Sequence, residues 1–155
     1  IDLARRPGQA APDKQGRIRG IMPMKWVVAF VAGGVTFGAL DAMWLRWAGP
    51  NLYRPALGEL LAPSFRPVPA LAFYIAYLAA MMWFAVRPRL ALGIPHAVLN
   101  GALLGGICYA TYDLTNQATL KVWSTQITLI DIAWGASATA LASGVAAWAA
   151  LKLGN

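Results

Sequence analysis

Four apolar stretches, each close to the length that crosses a lipid bilayer, constrain the fold of this chain most strongly. They cover residues 26–47, 68–86, 97–117 and 127–151. A hydrocarbon core about 30 Å thick needs about 20 apolar residues in a helix. A helix also satisfies its own backbone hydrogen bonds where water is absent. The sequence therefore predicts an all-α polytopic membrane protein, a four-transmembrane-helix bundle.

The composition agrees with a membrane protein that has one folded domain. Of 155 residues, 59% are hydrophobic and 12% are charged, whereas a soluble domain is about a quarter charged. We expect a flexible basic tail at residues 1–23 and a transmembrane domain at residues 24–155. The tail has five basic residues and no aromatic residue. It therefore predicts contact with anionic membrane lipids and no nucleic-acid binding.

The distribution of Lys and Arg predicts the orientation. With four spans both termini lie on one side, which carries nine Lys and Arg residues against four on the other. The positive-inside rule then places both termini in the cytoplasm, as in a multi-pass protein of the bacterial inner membrane. Without residues 1–23 each side carries four, so this orientation depends on the tail.

Three aspartates lie within these apolar stretches. Asp41 lies late in the first, Asp113 late in the third and Asp131 early in the fourth. A charged residue at the centre of a span costs about 2.5–3.5 kcal/mol on insertion scales. Because the spans alternate in direction, all three are predicted near one depth, close to the non-cytoplasmic face. We therefore expect one shared polar site.

Glycines flank each aspartate at helical spacing. Gly34 and Gly38 share a stripe with the first aspartate, Gly101 and Gly105 precede the second, and Gly135 follows the third. Small residues let transmembrane helices approach closely. These glycines are therefore candidates for helix packing that turns the acids into the bundle.

The remaining candidate site residues are polar or aromatic neighbours of the aspartates. The third span carries a dense polar run, and Asp-x-x-Trp occurs in both the first and the fourth span, which puts an indole one turn from a carboxylate. A binding or catalytic face is one interpretation. A network of interhelical hydrogen bonds, each worth about 0.6 kcal/mol, is the other. The candidates are Tyr109, Tyr112, Asn116, Lys121, Trp44 and Trp134.

Metal and cofactor chemistry has little support in the sequence. Cys108 and His96 are the only cysteine and histidine, which excludes the usual zinc, haem and iron–sulfur ligand sets. Carboxylates bind Mg²⁺ or Ca²⁺, but no spacing demands it. We predict no metal site, and the sequence identifies no cofactor.

Two segments resemble a known family. They are Gly38-Ala-Leu-Asp-Ala-Met-Trp-Leu45 and Tyr109-Ala-Thr-Tyr-Asp-Leu-Thr-Asn-Gln-Ala-Thr-Leu-Lys121. From Met24 onward the chain resembles a widespread bacterial family of predicted four-helix inner-membrane proteins of unknown function. The resemblance implies fold and location. It also implies a loose association with fatty-acid-modifying enzymes, because such proteins are often encoded near enzymes of the cyclopropane-synthase and flavoprotein types.

Three functions fit these observations. The first is an intramembrane polar site for a lipid-like or cationic ligand, with a catalytic role in lipid modification as an extension in which an aspartate is the general acid or base. The second is a structural or accessory subunit of a larger respiratory or photosynthetic complex. The third is a proton- or ion-coupled transporter, which would need a homo-oligomer. Whether the protein is an enzyme stays open at this point.

Overall fold

The first helix continues into the connector that follows it. The structure is a computed structural model that describes residues 14–154, with the side chains of residues 24–154. Helix α1 spans Lys14–Ala48. The connector continues it through a π-helical turn Gly49–Tyr53, the short helix α2 at Arg54–Leu57 and a 3₁₀ turn Gly58–Leu60.

Three further long helices follow. Helix α3 spans Pro67–Ala80 and continues through a π-helical segment, Met81–Val86, and a 3₁₀ segment, Arg87–Leu92. Helix α4 spans Ile94–Thr119, and helix α5 spans Thr125–Gly154. Prolines in the first turn begin α3 and α4, where the missing N–H removes no helical bond. The four predicted helices are confirmed.

Helices α4 and α5 form the closest pair, and they run antiparallel. A Cβ on Gly101 would lie 2.4 Å from the Ser143 Oγ, and one on Gly105 would lie 2.2 Å from the Gly135 carbonyl oxygen. A Cβ on Gly135 would lie 2.2 Å from the Tyr109 ring. These three glycines therefore allow a backbone separation that no larger residue would permit.

Helix α1 packs most closely against its neighbours at Gly33, and not at the predicted pair, Gly34 and Gly38. A Cβ on Gly33 would lie 3.3 Å from the Ala142 carbonyl oxygen, whereas one on Gly38 would have no atom within 4 Å. Gly34 faces only the flexible end of Leu78, at 3.1 Å. In this region the buried residues of α1 are Gly33, Phe37 and Asp41. The packing face therefore keeps the predicted Asp41 but is turned away from Gly34 and Gly38 by part of the roughly 100° that separates adjacent helical positions.

Two clusters of mostly small apolar side chains form the core. One brings together Ala29, Val86, Ala97, Ala146, Ala147 and Ala150, and the other Phe37, Tyr77, Met81, Ala85, Ala138 and Ala142. The larger side chains stack across α1 and α3, where the rings of Phe37 and Tyr77 are 4.9 Å apart. Alanine-rich packing of this kind is typical of helix interfaces in membranes.

Three of the four long helices are apolar enough to cross a membrane. The candidate spans are Met24–Leu60, Pro67–Leu92 and Thr125–Gly154. Their outer surfaces are apolar as well, since Val35 is 68% exposed and Leu71 is 62% exposed. Large exposed apolar surfaces mark contact with lipid or a partner. Helix α4, which carries the polar run, is not among these candidates, and its crossing stays a prediction.

Helical structure extends into the predicted tail, and the division of the chain at residue 24 stays a prediction. Residues 1–13 of the predicted flexible tail lie outside the described residues. Helix α1 begins at Lys14, before the predicted start of the transmembrane domain at Met24. Lys, Gln and Arg, which open this helix, are residues of good helix propensity.

Candidate functional site: buried carboxylates among aromatic rings

Asp131 accepts hydrogen bonds from a phenol of the first connector. The Tyr53 hydroxyl lies 2.6 Å from Asp131 Oδ1 and 2.7 Å from Oδ2. The Trp44 indole N–H donates in turn to the Tyr53 hydroxyl oxygen at 3.2 Å. Asp131 is 3% exposed, so this chain of donors replaces the water that the carboxylate loses on burial.

Asp41 is held in the same way by a different helix. The Tyr74 hydroxyl on α3 donates to Asp41 Oδ2, and Asp41 is 6% exposed. Phe37, one turn earlier on α1, places its ring edge-on to Tyr74 at 6.3 Å. A phenol from another segment of the chain thus donates a hydrogen bond to each of these two carboxylates.

Asp113 is different, because it is buried without a partner. Its exposed fraction is 0%. It lies beside Asp131 and the Trp123 indole, but neither contact has the geometry of a hydrogen bond. Both Asp113 oxygens and the Trp123 Nε1 lack a partner among the described residues. An unsatisfied buried polar group is rare in proteins, since it costs about 1–3 kcal/mol or more when charged.

The charge of this cluster is not balanced within the described part of the chain. The groups that act on the three carboxylates are phenols, indoles and the other carboxylates, and no Lys or Arg side chain of residues 24–154 is among them. Two adjacent carboxylates out of water repel each other strongly. Asp113 and Asp131 therefore need a proton or another cation between them.

A stacked pair of indoles lies between the aspartates of α1 and α5. The rings of Trp44 and Trp134 are 4.7 Å apart with an angle of 9° between their planes. The Trp134 Nε1 is buried and has no partner among the described side chains. This stack joins the two Asp-x-x-Trp segments face to face.

The three carboxylates occupy two levels instead of one. Asp113 and Asp131 are neighbours. The pairing of Trp44 with Trp134 sets the register of the antiparallel helices. In that register Asp41 lies about six residues, or ~9 Å, from Asp131 along the axis at about 1.5 Å per residue.

A second phenol layer lies beyond Asp41. The Tyr77 hydroxyl lies 2.6 Å from the Thr139 Oγ1, which itself donates to the Gly135 carbonyl oxygen at 2.7 Å. Because a threonine hydroxyl has one hydrogen, Tyr77 is the donor to Thr139. Tyr109 packs its ring on Gly135.

Three predicted site residues lie outside the buried cluster. Tyr112 is 60% exposed and meets the Trp123 ring edge-on at 5.5 Å. Lys121 is exposed in the turn before α5. Asn116 is half-buried, and its carbonyl oxygen accepts the Leu120 N–H at 2.8 Å. These residues lie near the end of α4, but they do not contact the carboxylates.

Two phenols and one indole at the cluster were not among the predicted site residues. Tyr53 belongs to the connector, whose path the apolar pattern does not predict. Tyr74 lies on the second apolar stretch and Trp123 just before the fourth, positions that predict a packing residue and an interface anchor. The sequence signal for Tyr53 is its place a few residues after the first span, in the part of the chain from Met24 onward that resembles the family.

The residues that could bind a metal ion are dispersed in the described part of the chain. Among residues 24–154, no three His, Cys, Asp or Glu side chains come close enough together to hold a metal ion. The two levels of the carboxylates explain this, because only Asp113 and Asp131 are neighbours. Aromatic rings and hydroxyls fill the remaining positions around them.

Four long helices with apolar outer surfaces and buried acidic groups define a multi-pass membrane protein. The family described as "Predicted membrane protein (DUF2177)" matches residues 26–148. The chain therefore belongs to this family, whose function is unknown. The comparison with curated proteins found no match, and the comparison with solved structures found none.

Proposed function

We propose that the buried carboxylates bind the cationic head group of an amphiphilic, lipid-like ligand. Asp113 carries this proposal, since it is fully buried beside a second carboxylate and neither of its oxygens has a partner among the described residues. A primary ammonium group would supply the missing charge and up to three hydrogen-bond donors. Charge-assisted bonds of this kind are about twice as strong as neutral ones.

The surrounding rings favour a cation over a neutral ligand. The stacked indoles of Trp44 and Trp134 and the phenol of Tyr53 lie beside the carboxylates. Aromatic faces attract cations by about 0.5–2 kcal/mol. The tail of a lipid-like ligand would extend from the site between two helices to the outer surface of the bundle, which is apolar.

Entry to the carboxylates runs through the π-helical turn Gly49–Tyr53. This turn packs chiefly against its chain neighbours α1 and α2. The Tyr53 hydroxyl spans both oxygens of Asp131, the position that a bidentate donor from a ligand would take. Displacement of one side chain would therefore expose the paired carboxylates to the connector side of the bundle.

A paired carboxylate also permits acid–base chemistry on a bound lipid. One carboxyl group of the pair can hold a proton while the other is ionised, as in other carboxylate pairs. We therefore include lipid modification in the proposal as the reaction class that this pair would serve. Ligand binding is the part that is tested first.

The experiment compares a cation with its neutral counterpart. The purified full chain, in a non-ionic detergent, is titrated with a long-chain alkylammonium and with the alcohol of the same chain length. Thermal stability reports binding. We expect the alkylammonium to bind at least about tenfold more tightly, because a hydrogen bond to a charged group contributes about 1.5–3 kcal/mol. Equal binding of the two amphiphiles by the wild type would refute the proposal.

Two substitutions locate the site. Asp113→Asn keeps the side-chain shape and removes the charge, and it should abolish the preference for the alkylammonium. Glu59→Gln removes an exposed acid of the connector and should leave the preference unchanged. If Asp113→Asn keeps the preference, the carboxylate does not bind the head group. The alternative is that the chain is a subunit of a larger complex, in which a basic side chain of a partner protein pairs with Asp113. In that case the partner protein should copurify with the chain.

We also propose that all four long helices cross the bacterial inner membrane, with both termini in the cytoplasm. Helix α4 supports this, because it lies antiparallel to the candidate span α5 and packs closely along it at Gly101 and Gly105. Within its polar run Asp113 is buried, and the exposed hydroxyls of Thr111, Thr115 and Thr119 donate to carbonyl oxygens of α4 itself. The excess of Lys and Arg on the side of the termini supports the orientation.

A further inference from the structure

A second site lies at the opposite end of the bundle from the carboxylates. A groove of about 350 Å³ opens between two walls. One wall is α1, and the other is α3 together with the π-helical segment that continues it. Its volume falls within the roughly 300–1,000 Å³ of small-molecule sites. The lining residues are Trp26, Phe30, Ala79, Met82, Trp83 and Arg87.

The walls of this groove are apolar, and one of them departs from regular α-helix. Met82 and Trp83 belong to the π-helical segment Met81–Val86. Well under 1% of residues adopt π-helix, and such turns occur frequently at functional sites. Phe30 and Met82 provide a ring and a flexible thioether that adapt to an alkyl chain.

The mouth of the groove is cationic. The Arg87 guanidinium lines the groove and lies 4.8 Å from the centre of the Trp83 ring. The Lys25 ammonium lies 5.2 Å from the centre of the Trp26 ring, but Lys25 does not line the groove and lies beside Gly154 at the end of α5. The indoles hold these cations without neutralising them. No acidic side chain of residues 24–154 lines the groove. Indoles and basic residues together are typical of the level of lipid head groups.

We propose that this groove binds an anionic phospholipid. The phosphate lies on Arg87, whose planar guanidinium forms paired hydrogen bonds with phosphate oxygens. One acyl chain lies between Phe30 and Met82, over Ala79. The site is separate from the carboxylate cluster, and its ligand has the opposite charge.

Native mass spectrometry of the purified full chain tests this proposal. Phosphatidylglycerol and phosphatidylcholine with identical acyl chains are the two probes. The wild type should bind phosphatidylglycerol more tightly. Arg87→Gln should reduce that preference about fivefold, as expected for one basic residue near anionic lipid. Arg89→Gln changes an exposed arginine of the same 3₁₀ segment that does not line the groove, and should leave the preference intact.

A groove-filling variant provides the second test. Ala79 is exposed and lines the groove, so Ala79→Phe fills the groove without disturbing buried packing. It should weaken the binding of both phospholipids. Equal effects of Arg87→Gln and Arg89→Gln, or no preference in the wild type, would show only general contact with surrounding lipid. Unchanged binding by Ala79→Phe would show that the lipid lies elsewhere.

Discussion

Replacing Gly105 by alanine tests the close packing that holds the polar site together. The added Cβ would lie 2.2 Å from the Gly135 carbonyl oxygen and 2.5 Å from the Thr139 Oγ1. Both atoms are fixed, since the oxygen is backbone and the hydroxyl already bonds to Gly135 and Tyr77. The helices must therefore move apart.

The expected loss of stability follows from that overlap. Overpacking of a core typically costs 1–3 kcal/mol, and we expect about 3 kcal/mol because backbone cannot rotate away. For a chain of this size each kcal/mol shifts the midpoint of thermal unfolding by about 2–4 °C. Gly105→Ala should therefore lower the midpoint by roughly 6–12 °C in detergent.

The neighbouring glycine is the matched control. A Cβ on Gly106 would lie 3.8 Å from the Ala136 Cβ, an ordinary contact. Alanine is also the better helix former by about 0.5–1 kcal/mol. Gly106→Ala should therefore keep or raise the midpoint. If Gly105→Ala is as stable as Gly106→Ala, helices α4 and α5 do not pack as described.

Two further predictions use single changes or fusions. Tyr53→Phe removes the hydroxyl that donates to both oxygens of Asp131, and should reduce the free energy of unfolding by about 1–3 kcal/mol. Tyr112→Phe, at a side chain that is 60% exposed, should change it by less than about 0.5 kcal/mol, and equal losses would refute a special role for Tyr53. Reporter fusions at both termini should show the N-terminus and Asn155 in the cytoplasm. Opposite sides would mean an odd number of spans.

The pattern of apolar residues was sufficient to predict the helices and the meeting of two carboxylates. Asp113 ends one apolar stretch and Asp131 begins the next, so an antiparallel pair must bring them to the same level. The rotation of α1 could not be predicted in the same way. Gly33 and Gly34 differ by one helical position, and only the contacts with Met81 and Ala142 show which of them faces the bundle.

The connector limited the prediction of the site. A helical period fixes the faces of Asp41 and Asp131, but it contains no information about the path between two spans. Tyr53 reaches Asp131 only because the chain stays helical through the π-turn Gly49–Tyr53. Tyr74 lies on the second apolar stretch, so its place on a membrane span could be predicted. Its pairing with Asp41 could not be predicted, because a helical period does not define which helix lies opposite a given face.

The three carboxylates do not support a binding function equally. Asp41 accepts a hydrogen bond from Tyr74, and Asp131 accepts the hydroxyl of Tyr53 at both oxygens. Each of these two arrangements is complete as a structural contact between helices. Asp113 contributes no such contact among the described residues, and its burial opposes stability. A purely structural role would favour an apolar residue at this position. The case for a ligand therefore depends on Asp113, while Asp41 and Asp131 would hold the helices in place around it.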